Sequence, residues 1–82
     1  MKRASERFKI GDRIRLSDDG RETHREMAAR NTKAVVVAFV RTDGWKMRIR
    51  TDGSSTARSV VARYWEIDPD AAQDHASSAE RP

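Results

Sequence analysis

The chain has 82 residues, no cysteine and a formal net charge of +4. That length bounds it to one small domain with a modest core, and the missing cysteines exclude a disulfide framework and a thiolate metal site. The charge is unevenly placed: residues 1–65 carry sixteen Lys/Arg against eight Asp/Glu, whereas residues 66–82 carry one arginine against five acids. A basic body with an acidic end favours a polyanionic partner for the body.

Residues 1–7 are charged, lack a period and read as a loose end. No apolar stretch of signal-peptide type follows them. With no cysteine in the chain, a cytoplasmic setting is expected. The longest apolar run, residues 34–40, is too short to cross a bilayer, so no membrane partner is expected.

From Phe8 the pattern changes. In "FKIGDRIRL", Ile10, Ile14 and Leu16 alternate with Arg13 and Arg15, which predicts a strand with one buried face. Gly11 and Asp12 are placed to turn the chain into it. Residues 17–32 read differently. Asp18, Asp19 and Gly20 signal a turn. Asp19 with Glu22, and Thr23 with Glu26, have the spacing of a capping box. Met27, Ala28 and Ala29 favour helix. The segment is a short helix or a folded long loop, polar in either case.

"KAVVVAFVRT" (33–42) is the most apolar stretch, and its three valines and Phe39 predict a strand buried on much of both faces. Asp43-Gly44 is a hairpin signal. The strand from Trp45 to Thr51 alternates Trp45, Met47 and Ile49 with Lys46, Arg48 and Arg50. Asp52-Gly53 gives a second hairpin signal, so the doubled Thr-Asp-Gly marks two turns and not a repeat. Thr56 to Val61 reads as a strand, "ARYW" as one tight helical turn, and Trp65 to Asp68 as a last short strand. From Pro69 the chain is small, polar and acidic, a composition that predicts a disordered tail.

These elements predict a mainly β fold. A long first connection, two tight hairpins and a one-turn helix before the last strand resemble, over residues 8–68, a small five-stranded SH3-like barrel. Within that family the order resembles the KOW-type barrels of transcription and ribosomal proteins, a likeness that implies binding to RNA or protein. The glycine usual ahead of the second-strand valines is Ala34 here. The Gly-Asp-Arg-aliphatic-Arg run at Gly11 to Arg15 also resembles the first strand of the type II plasmid dihydrofolate reductase. The Val-Gln-Ile-Tyr segment its pore needs is replaced by Arg58-Ser59-Val60-Val61, so the reductase activity is not carried over. The domain organisation expected is a flexible 1–7, a barrel 8–68 and an acidic tail 69–82.

Catalytic chemistry finds little to stand on. His24 lies in a charged loop and His75 in the tail, so neither has a rigid element to hold a base to its nucleophile. Two distant histidines and scattered carboxylates lack metal-ligand spacing. The isolated glycines are turn residues and do not make a phosphate-cradling loop. A non-enzymatic protein without cofactor is expected.

The basic residues are the remaining signal. Lys46, Arg48 and Arg50 face away from Met47 and Ile49, and Arg13 and Arg15 project outward from the first strand. On one curved sheet they make a stripe that Arg41, Arg58 and Arg63 extend. Guanidinium groups bind phosphates bidentately and stack on bases, so the expectation is a nucleic-acid-binding surface, DNA or RNA. The same residues also serve as the solubilising side of a sheet. Trp45 is assigned to core or rim packing, and Tyr64 or Trp65 to the exposed aromatic position. The alternative function is a protein-interaction module of a bacterial or phage assembly.

Overall fold

The computed structural model describes residues 3–70. Its elements, in chain order, are α1 (Ala4–Arg7), β1 (Arg13–Leu16), α2 (Asp18–Thr23), α3 (Arg25–Ala29), β2 (Lys33–Phe39), β3 (Lys46–Thr51), β4 (Arg58–Val61), a 3-10 turn (Ala62–Tyr64) and β5 (Trp65–Ile67). The strands form one antiparallel sheet in the order β4-β3-β2-β1-β5. The sheet is not closed: among the described residues β4 and β5 are its two edges, joined through the 3-10 turn. The mainly β class with five antiparallel strands therefore stands, and barrel closure does not follow from this pairing.

The period-two segments become strands because each has one apolar face to bury. Ile14 and Leu16 of β1, Ala34 and Val36 of β2, and Met47 and Ile49 of β3 meet with Phe8, Ala62 and Trp65 in one core. Residues 33–42 did not alternate, and the structure accounts for this with a register shift. Val36 pairs with Ile49, but Ala38 pairs with Arg48, leaving Val37 as an extra residue. Such a bulge shifts the parity of the strand. Ala34 and Val36 face inward before it, and Phe39, opposite buried Met47, faces inward after it. Val35 and Val37 are half-buried, so the outer side of β2 is not sealed as the valine run suggested.

Residues 17–32 fold as two short helices. Ser17 caps α2, its Oγ accepting from the Gly20 N–H at 3.2 Å, so the cap lies two residues ahead of Asp19. Gly20, read as a turn residue, is buried inside α2 against the backbone of Tyr64. The Ser17 N–H donates to Tyr64 O at 2.9 Å and its hydroxyl to Arg63 O at 2.8 Å. These bonds pin α2 to the 3-10 turn and leave no room there for a side chain larger than hydrogen.

The N-terminal segment, without a period in the sequence, forms the one-turn helix α1. The Ala4 N–H donates to Gly44 O at 2.7 Å, and Ala4 is buried. Arg7 donates to Ala62 O and Trp65 O, each at 3.3 Å. Gly11, at φ +94°, and Gly53, at φ +85°, occupy the left-handed backbone that the turns before β1 and β4 require. Residues 71–82, to which most of the expected disordered tail belongs, lie outside the described residues. Asp68 and Asp70 lie within them. Asp68 is buried and pairs with Lys33 Nζ at 3.3 Å, and Asp70 reaches the same ammonium at 3.6 Å. Among the described residues, no helix is long and apolar enough to cross a membrane.

Candidate nucleic-acid interface

Strand β3 sets the geometry of the basic face. With Met47 and Ile49 turned into the core, Lys46, Arg48 and Arg50 must point to the other side, and all three are exposed. Alternate residues on a strand stand about 7 Å apart, so the three cations form a straight row. Their cross-strand neighbours are uncharged. Arg48 lies between Ala38 on β2 and Ser59 on β4, Arg50 sits opposite Val35, and Lys46 opposite Val61.

Arg13 belongs to the same face. Val35 pairs with Arg50 on one side and with Arg13 on the other, which puts the two arginine backbones two strand spacings, about 10 Å, apart. A recess of ≈ 510 Å³ lies among Arg13, Val35, Arg50 and the Gly53–Ser55 turn. Arg15 continues the first-strand row between Lys33 and Glu66.

The arginines differ sharply in what already holds them. Asp52 accepts two hydrogen bonds from Arg13, at 3.0 Å from Nη1 and 2.6 Å from Nη2. Glu66 accepts from Arg15 Nε at 2.7 Å. Both guanidiniums have their pKa raised above the ordinary value, chiefly by these hydrogen bonds, with desolvation opposing. Arg63 lies 3.9 Å from an Asp19 oxygen and over the Tyr64 ring at 5.2 Å. Lys46 reaches Asp43 at 4.0 Å. Among the described residues, Arg41, Arg48, Arg50 and Arg58 form no ion pair.

Position separates these four as well. Arg48 and Arg50 stand on the outer sheet face, and Arg41 is exposed in the β2–β3 connection. Arg58 pairs in register with Ile49. Cross-strand partners share a sheet side, so Arg58 points to the core side and overhangs its open end. It is brought together with Arg30 and Lys33 and not with Arg48. Of the eight residues read from the sequence, then, five lie on the outer strand face (Arg13, Arg15, Lys46, Arg48, Arg50). Arg41, Arg58 and Arg63 lie at three separate places around it.

Trp65, one of the two residues expected at the exposed aromatic position, is the buried one, and Trp45, assigned to core or rim, lies at the rim. Trp65 is 1% exposed and central to the core, opposite Leu16. Trp45 is 47% exposed. Trp45 has the inward parity of Met47, but it precedes the first residue of β3 and lies in the turn, past the edge of the core. His24 packs edge-to-face on Tyr64, with ring centroids 5.3 Å apart, which gives it a packing role; His75 lies outside the described residues. Arg30, absent from the sequence reading, shares a groove with Arg58 that no local signal in the sequence marks. In comparisons with protein-family models, curated proteins and solved structures, nothing matches this chain.

Proposed function

We propose that the chain is a small SH3-like module that binds nucleic acid through phosphate contacts, without catalysis, and that Arg48 and Arg50 carry the binding. One observation supports this most directly: the two guanidiniums project side by side from β3 over uncharged neighbours, with no acid among the described residues to neutralise them. A purely solubilising face is served equally well by cations paired with acids, as at Arg13 and Arg15. The short 3-10 turn between β4 and β5 supports the SH3-like reading. The readout is phosphate and not base sequence, because the row offers charge without a groove-shaped set of base-edge donors.

The test is fluorescence anisotropy with labelled single-stranded and duplex oligonucleotides over about 50–200 mM salt. Binding should weaken steeply as salt rises. Each phosphate contact contributes roughly 0.7–0.9 to the slope of log K against log salt. The Arg48→Ala, Arg50→Ala pair should therefore flatten the slope by about 1.4–1.8 while the fold is kept. Salt-independent binding, or an unchanged slope in the double variant, refutes the assignment.

A second reading, a protein-interaction module, draws on the open outer side of β4, which pairs only with β3 among the described residues. An exposed strand edge is a template for an added strand. Binding by that route depends on main-chain hydrogen bonds and is indifferent to Arg48 and Arg50, so the same double variant separates the two.

A further inference from the structure

A second basic site lies at the open end of the sheet. A groove of ≈ 500 Å³ opens between the C-terminal end of α3 and the base of the β3–β4 hairpin. That volume falls within the roughly 300–1,000 Å³ of small-molecule sites. Arg30, Lys33 and Arg58 line it, together with Asp52. Two of these charges are already committed: Asp52 is held by Arg13, and Lys33 by Asp68 and Asp70. Arg30 and Arg58 are left as cations with no acidic partner among the described residues. They come from opposite walls, Arg30 from the end of α3 and Arg58 from the edge strand β4.

The rest of the lining suits the same ligand. Thr32 and Thr51 line the groove, and their hydroxyls make no hydrogen bond among the described residues. Met27, packed against the core, supplies an apolar wall. Two guanidiniums, two threonines and one soft apolar surface around one groove fit a phosphate group joined to a flat organic body. Asn31, at φ +54°, turns the chain between Arg30 and Thr32 and so sets this wall.

We propose that this groove binds a phosphate monoester of nucleotide size, with Arg30 and Arg58 clamping the phosphate and Met27 lying against the base. The ligand is a free nucleotide or the phosphorylated end of a nucleic-acid strand. Neither Arg48 nor Arg50 lines this groove, although Thr51 and Asp52 border both it and the recess beside Arg50.

The experiment is NMR titration of the full chain with adenosine 5′-monophosphate, with inorganic phosphate and adenosine as single-part controls. Shifts should saturate with the monophosphate and cluster on Arg30, Thr32, Thr51 and Arg58. Phosphate alone should give a weaker version and adenosine none. Arg30→Ala and Arg58→Ala should each weaken binding roughly tenfold, and Arg58→Lys should restore only part of it. The Arg48→Ala, Arg50→Ala pair should leave it unchanged. Shifts that fail to saturate, or a loss no greater in the Arg30 and Arg58 variants than in the Arg48/Arg50 pair, overturn the proposal. Failure of oligonucleotide binding with retained monophosphate binding overturns only the outer-face reading. Two further arms compare 5′-phosphorylated with 5′-hydroxyl oligonucleotides. A preference that Arg58→Ala abolishes assigns the strand end, and equal affinity with retained monophosphate binding assigns the free nucleotide.

Discussion

Gly20→Ala puts two principles in direct conflict. Helix propensity alone favours alanine over glycine inside a helix by about 1 kcal/mol, so the substitution in α2 would stabilise an isolated segment. In the folded chain a methyl group at this position overlaps Tyr64 O and comes within 2.9 Å of Tyr64 C and 3.0 Å of Leu16 Cδ2. The obstacle is backbone, which has no rotamer by which to move aside. Overpacking of this kind costs about 1–3 kcal/mol. If α2 retreats instead, it strains the Ser17 bonds to Tyr64 O and Arg63 O, each contributing about 1 kcal/mol. Against the propensity gain of about 1 kcal/mol, either route leaves a net loss of about 1–2 kcal/mol. For a domain of this size 1 kcal/mol moves Tm by roughly 4–8 °C, so a fall of about 5–15 °C is expected. Thermal unfolding followed by circular dichroism reads it directly. A variant that melts at or above the parent temperature refutes the packing argument and returns Gly20 to an ordinary surface helix.

Two further perturbations test the site and the core. Asp52→Ala releases Arg13 onto the outer face at little cost, since an exposed pair is worth about 0–1 kcal/mol; oligonucleotide affinity should rise and the salt slope steepen by up to about 0.9, and anisotropy that shows neither would remove Arg13 from the interface. Trp65→Ala should cost about 3–5 kcal/mol or prevent folding, whereas Trp45→Ala should leave Tm within a few degrees, and acrylamide should quench only one of the two tryptophans in the folded parent.

Most element positions were legible because local chemistry dictates them. Alternation marked β1 and β3, Asp-Gly pairs marked the hairpins, and "ARYW" marked the turn into β5. The misreadings share one cause, a dependence on where elements pack. Gly20 looks like punctuation until Tyr64 lies against it. Trp45 has the right parity for the core but sits one residue before its strand. The valine run of β2 hides a bulge that becomes visible only when Val36 and Ala38 take partners on β3.

The charge pattern follows the same logic and bears most on function. Arg13 and Asp52 are 39 residues apart in sequence, and Arg15 and Glu66 are 51 apart; only the placing of β1 between β2 and β5 brings each acid to its arginine. Nothing local distinguishes "DRIRL" from "KMRIRT". The sheet order does: β1 lies beside β5, which carries Glu66, and near the Asp52 turn, whereas β3 lies between β2 and β4, which offer Arg48 and Arg50 only Ala38, Ser59 and Val35. Two arginine strands of nearly equal composition therefore acquire different electrostatic roles. Those of β1 are substantially neutralised by the fold, and those of β3 keep their charge for an outside partner. Binding energy should accordingly divide unevenly between the strands, with substitutions on β3 weakening oligonucleotide binding more than the same substitutions on β1.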